Sequence, residues 1–142
     1  MHLPPDKMQR VIINTDAKNE ADDQYAIVHA LLSPSLDIKG IIPVHFGTLR
    51  TDKSMEESRD EVMLLLDLMK VAGRVRIADG ASLALRDEQT PQMSAGAQLI
   101  IDEVMRGDDE RDLCLMFIGP LTDLASALLI EPRIAERPCD VV

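Results

Sequence analysis

The stretch RVIINTDAKNEADD, residues 10–23, decides how the rest of the chain is read. Residues 10–15 are apolar and rich in β-branched side chains, the composition of a buried strand, and they run directly into an acidic segment. Asp16, Glu20, Asp22 and Asp23 place four carboxylates within eight residues, at the point where strand gives way to helix. Over residues 20–32, Ala21, Tyr25, Ile27, Val28, Leu31 and Leu32 recur at roughly helical spacing. Asn19 stands at an N-cap position and Ser33-Pro34 is a stop.

The same alternation continues outward. Residues 37–44 (DIKGIIPV) read as a second strand, and residues 55–71 as a long amphipathic helix with Val62, Leu65, Leu66 and Met69 on one face, closed by Gly73. A brief third strand is expected at residues 75–78, then a helix over 95–105 ending at Gly107. Residues 113–118 (LCLMFI) form an apolar strand, 121–129 a helix, and 140–142 the opening of another strand. Parallel neighbours need long crossover connections, so the order predicts an α/β fold. Its sheet is open and mainly parallel with helices on both faces, Rossmann-like. Right-handed crossovers bring the carboxyl ends of the strands to one edge, where ligands bind. The loops after Thr15, Val44, Ala78 and Ile118 are therefore the places to look. Residues 79–93 lack periodicity and read either as a substrate loop or as a solvated connection.

With 142 residues, 46% of them hydrophobic, the chain has material for one core and not for two ordinary domains. Residues 1–9 read as a leader and 10–142 as a single α/β unit. A formal net charge of -10 repels phosphate, which argues against nucleic acid and anionic membranes and in favour of a small neutral ligand or a cation. No apolar run is long enough to span a membrane, and the start lacks the apolar core of a secretory signal, so a cytoplasmic location is the default expectation. Cys114 and Cys139 have neither the number nor the spacing of a disulfide framework or a zinc site. The only aromatic residues are Tyr25, Phe46 and Phe117, so no platform for stacking nucleic-acid bases is visible. His2 and His29 read as incidental.

Four neighbouring carboxylates repel one another and call for compensation. A hard divalent cation such as Ca²⁺ or Mg²⁺ would supply it through oxygen ligands. A helix N-terminus, worth about 0.3–1 kcal/mol per charge, would supply part of it without any metal. Spacing alone leaves both open. A phosphatase built on Asp-x-Asp fits poorly, because Asn14 occupies the nucleophile's position.

Two motifs carry a resemblance. Asn14-Thr15-Asp16, followed by Asp22-Asp23 and Gln24-Tyr25-Ala26-Ile27, is similar to the Asp-x-Asp, turn, Asp-Asp opening of the inosine-uridine nucleoside hydrolase family. Ile118-Gly119-Pro120-Leu121-Thr122-Asp123-Leu124-Ala125 resembles the same family's Gly-Pro-Leu-Thr-Asn-Leu-Ala segment. The resemblance covers residues 10–142. It implies a calcium-dependent hydrolase that cleaves the N-glycosidic bond of a ribonucleoside. Carried over by position, Asp16 would be a metal ligand and the general base, Asp23 a metal ligand, and the carbonyl of Thr122 a further ligand. Asp22 would contact a ribose hydroxyl. Outside that carry-over, Asn19 is a further substrate-binding candidate, and His45, at a strand end, reads either as a polar contact to the substrate or as a structural or surface residue.

The chain departs from the pattern in several places. Residues 17–21 replace a Pro-Gly turn, Asn14 replaces an Asp, and Val44-His45-Phe46-Gly47-Thr48 stands where the family has Ala-Gly-Asn. The family's histidine-containing loop after the third strand has no counterpart. The family also continues for a comparable length, so the chain reads as the N-terminal half of a truncated fold, lacking a further metal-binding Asp and a pocket His. An open sheet with an uncovered edge predicts homo-oligomerisation or aggregation. The competing reading is a non-catalytic homologue that binds a cation or a sugar, or serves as an interaction module.

Overall fold

In the computed structural model, which describes residues 4, 7–107, 109 and 111–142, strands and helices alternate in the expected order. They are β1 (Gln9–Thr15), α1 (Asp22–Leu32), β2 (Leu36–Pro43), α2 (Ser54–Leu68), α3 (Ala95–Val104), β3 (Leu113–Phe117), α4 (Thr122–Ile130) and β4 (Cys139–Val141), with a 3-10 turn at Pro132–Glu136 before β4. His2 and most of the leader lie outside the described residues.

All pairings are parallel and the sheet order is β2-β1-β3-β4. β1 lies between β2 and β3, which explains why Arg10–Thr15 is buried throughout. Such a strand cannot alternate polar and apolar residues, because both of its faces are covered. Val11 and Ile13 face one core with Ile27 and Ala30 of α1 and Val62 and Leu66 of α2. Ile12 faces the other, with Leu99 and Ile100 of α3 and Ala127 of α4. Helices thus cover both faces.

The strand expected at residues 75–78 is reduced to one parallel bridge, Ile41 with Ile77. Ile41 N–H donates to Arg76 O at 2.9 Å and Ala78 N–H to Ile41 O at 3.0 Å, with a turn on one side and irregular chain on the other. Four residues so bounded cannot extend a ladder. The bridge nevertheless fixes the path: the chain moves outward from β1 through β2 to residue 77, then returns across β1 to β3. That reversal makes the crevice between the carboxyl ends of β1 and β3 the switch point of the sheet.

Several boundaries differ from the sequence reading. α1 begins at Asp22 behind Ala21, which makes no side-chain cap; Asn19 instead closes a turn, its N–H donating to Asp16 O at 2.7 Å. Tyr25 and Leu32 fall on the outer face of α1, 78% and 71% exposed, so the buried stripe is narrower than the apolar pattern. α2 stops at Leu68, and Lys70, at φ 59°, turns the chain before Gly73 is reached. At the opposite end of the sheet from the crevice, buried Arg10 pairs with Glu103 of α3 at 2.8 Å.

Candidate active site at the carboxyl edge of the sheet

β1 delivers Asp16 directly to the switch point, because the strand's last buried residue is Thr15. The loop then doubles back, and the first turn of α1 brings Asp22 and Asp23 to the same place. Asp16, Asn19, Glu20, Asp22 and Asp23 line one wall of a cavity of about 360 Å³, and Ile118, Gly119 and Pro120 line the other. Residues separated by a hundred positions meet here. The sequence motifs before α1 and before α4 are thus two sides of one crevice.

Gly119 is required for that approach. A Cβ there would lie 2.7 Å from Val44 Cγ2, 2.9 Å from the Asp16 amide nitrogen and 3.1 Å from Asn14 Oδ1. Asn14 itself is 1% exposed, and neither atom of its side-chain amide has a partner among the described residues. A buried amide in that state is costly unless something else satisfies it.

The carboxylates are differentiated by their surroundings. Asp23 is 6% exposed and accepts the Thr15 hydroxyl at 2.6 Å. Burial, reinforced by the charges of Asp16 and Asp22, pushes its carboxyl up to about 6. Asp16, hydrogen-bonded by Asn19 and facing Asp23, is also raised, chiefly by burial. No Lys or Arg pairs with Asp16, Asp22 or Asp23 among the described residues; Lys18 turns away to Glu61 at 2.9 Å. The three aspartates therefore hold their negative charge without an ion pair among the described residues.

This donor set has the chemistry of a hard-cation site: carboxylate oxygens, an unpartnered amide oxygen beneath them, and raised proton affinity where like charges crowd. It is not complete by itself. Among the described residues no group of three or more His, Cys, Asp or Glu converges as a metal cage. Remaining positions around an ion would fall to water or ligand oxygens.

Two expected contributors stand elsewhere. The carbonyl of Thr122 accepts Ser126 Oγ at 2.7 Å within α4, and Thr122 is not among the residues that line the cavity. The Thr122 hydroxyl meets His45 Nε2 at 3.0 Å. Gly47 N–H donates to His45 Nδ1 at 3.2 Å, which assigns the hydrogen to Nε2 and makes Thr122 Oγ1 its acceptor. Burial lowers the histidine's pKa and favours this neutral form. His45 is 5% exposed with both ring nitrogens engaged, so it ties the end of β2 to the start of α4 across the top of β1, and it is not among the residues that line the cavity.

The sequence reading missed Asp123. It is fully buried, accepts the Ser94 hydroxyl and the Ala81 amide at 3.1 Å, and is raised by burial. With Ser126, whose hydroxyl accepts Gln92 N–H at 3.0 Å, it fastens both ends of the irregular segment after Ala78 to α4. The signal was present in Thr122-Asp123, a charged residue in an otherwise apolar helix start.

Comparison with known proteins now bears on this crevice. Residues 11–142 match the family described as inosine-uridine preferring nucleoside hydrolase. The chain belongs to that family. Among solved structures, a plant nucleoside hydrolase superposes with a TM-score of 0.63 at 23% identity, covering 98% of this chain and 47% of its own. A nucleoside hydrolase-related protein of Saccharophagus degradans, described as associated with carbohydrate metabolism, gives 0.64 at 20% identity, covering 94% of this chain and 38% of its own. At those identities the likeness is one of fold. A stretch of a diaminopimelate decarboxylase from Vibrio cholerae is 31% identical over 104 residues, 70% of this chain and 24% of that protein. The chain thus spans less than half the length of each of these relatives, and the decarboxylase match brings no activity with it. No helix among the described residues is long and apolar enough to cross a membrane.

Proposed function

We propose that this nucleoside hydrolase family chain carries the sugar-binding and water-activating part of an enzyme that hydrolyses the N-glycosidic bond of ribonucleosides. One observation carries the proposal: Asp16, Asn19, Asp22 and Asp23 line a cavity at the switch point, and among the described residues none of the three aspartates has a Lys or Arg ion-pair partner. Asp16, at the end of a rigid buried strand, takes the proton of the attacking water. Asp22 and Asn19, on the same wall, accept and donate to the ribose hydroxyls. Asp16 and Asp23 would hold a calcium ion, which when bound would acidify the attacking water and engage the sugar. Thr15 fixes the Asp23 carboxylate through its hydroxyl, and Gly119 keeps the opposite wall close enough to exclude bulk water from the sugar's other side. His45 and Thr122 act from behind the cavity by holding α4 against β2.

The test is release of free ribose from inosine and uridine. The chain releases ribose, and Asp16→Asn lowers the rate by about 100-fold or more, the usual contribution of a general base. A rate unchanged in that variant removes Asp16 from the mechanism.

The second reading is a homologue that binds a cation or a sugar without cleaving it. Asn14 at the Asp-x-Asp position favours it, as does the lack of a complete cage of ligating side chains among the described residues. Sugar binding with no ribose release would select this reading.

A further inference from the structure

The carboxylate wall explains where a sugar would sit and leaves the other half of a nucleoside without a partner. That half is a flat heteroaromatic ring, and neither an aromatic nor a cationic side chain is among the residues that line the cavity. The loop that follows β2 contains groups that do. The Arg50 guanidinium carbon lies 5.1 Å from the centre of the Phe46 ring, a cation–π stack. Both terminal nitrogens of Arg50 donate to the main-chain oxygen of Asn19, at 3.4 and 3.3 Å. Asn19 belongs to the carboxylate wall, so this contact places a guanidinium next to a residue that lines the cavity. Arg50 is exposed, and among the described residues no carboxylate pairs with it. The helix charges nearby are thus not what holds it; an aromatic ring and one carbonyl are.

From this juxtaposition we propose that Phe46 and Arg50 form the subsite for the leaving base, with Arg50 as the residue that bonds to it. The inference rests on the hydrolase reading above. A guanidinium supported on one face by Phe46 offers its other face to a second flat ring and its free N–H groups to ring nitrogens or carbonyl oxygens. When water oxygen bonds to the anomeric carbon, the C–N bond breaks and its electron pair leaves with the base. One water proton passes to Asp16, and the departing base gains its proton from solvent. A fixed positive charge beside that nitrogen stabilises the negative charge while it develops, which is the task that no acid on the carboxylate wall performs. Arg50 holds the same place in binding, where it separates a nucleoside from free ribose.

The experiment is equilibrium titration in calcium-containing buffer of the chain with ribose and with the C-glycosidic analogue of inosine, which has no C–N bond to cleave, comparing the unaltered protein, Arg50→Ala, Arg50→Lys and Asp16→Asn. The unaltered chain binds the analogue more tightly than ribose. Arg50→Ala keeps ribose affinity and loses about tenfold or more in analogue affinity, and Arg50→Lys, which keeps the charge without the planar guanidinium, recovers only part of it. Unchanged ribose binding doubles as the control for folding. If ribose binds, is lost in Asp16→Asn, and analogue affinity is indifferent to Arg50, the subsite is overturned and the hydrolase reading stands. If the unaltered chain binds neither ligand, both fall together.

Discussion

Asp23 is held under two opposed demands. Burial and the neighbouring Asp16 and Asp22 raise its carboxyl to about 6, whereas a cation ligand must be ionised. In the cation-free folded chain Asp23 therefore binds its proton more tightly than in the unfolded chain. The associated stability is present below about pH 4 and is lost as pH rises through about 6. His45 acts in the other direction: its folded pKa is lowered, so its contribution is present above the ordinary histidine range and lost as pH falls. The two overlap, and Asp23→Asn separates them. In urea unfolding without divalent cations, Asp23→Asn gains about 2 kcal/mol over the unaltered chain between pH 4 and 7, because only the unaltered carboxyl, raised to about 6, must ionise in the folded state over that range. A constant difference across that range would show that Asp23 is not strained by its surroundings. Asp16, Asp22 and Asp23 were legible in the sequence because four carboxylates behind an apolar strand are conspicuous. The contact between His45 and Thr122 was not, because it joins the loop after β2 to the first residue of α4 across 77 positions, which no local pattern encodes.

At the scale of elements, β1 was the easiest strand to read, since a strand buried on both faces is largely apolar, and β3 was legible as an apolar run although only Leu113 and Leu115 are fully buried. Residues 75–78, in which Arg76 interrupts Val75, Ile77 and Ala78, are not a strand: strand identity depends on the pairing available, and here only Ile77 forms a bridge, to Ile41 of β2. Helix ends were displaced where capping was irregular: the Asn19 assignment failed because the loop needed that residue to close onto Asp16. α3 is the opposite case. Ser94 accepts Ala97 N–H at 2.9 Å as an N-cap and donates to buried Asp123. Ser94→Ala removes a cap and leaves a buried carboxylate short of a donor, an expected loss of about 2 kcal/mol in denaturant unfolding. A loss within 0.5 kcal/mol would mean that Asp123 is satisfied by other groups.

Across the whole molecule the uncovered side of the sheet sets the expected behaviour. β4 has only three residues and pairs on one side alone, and Val141 and Val142 are 52% and 67% exposed. Beside it Leu115, Leu124, Leu128, Ile134 and Val141 line an apolar groove. Unpaired backbone next to exposed apolar side chains favours association. The chain is expected to self-associate at micromolar concentration in light scattering, and a stable monodisperse monomer would contradict this. The central claim is nonetheless the acidic crevice at the switch point, to which the topology, the family and the charge all lead. Calorimetric titration of the chain with Ca²⁺, alongside Asp23→Ala, tests it most directly. The account predicts saturable binding near neutral pH that disappears in the variant, and equal, non-saturating heats for the two proteins would contradict it.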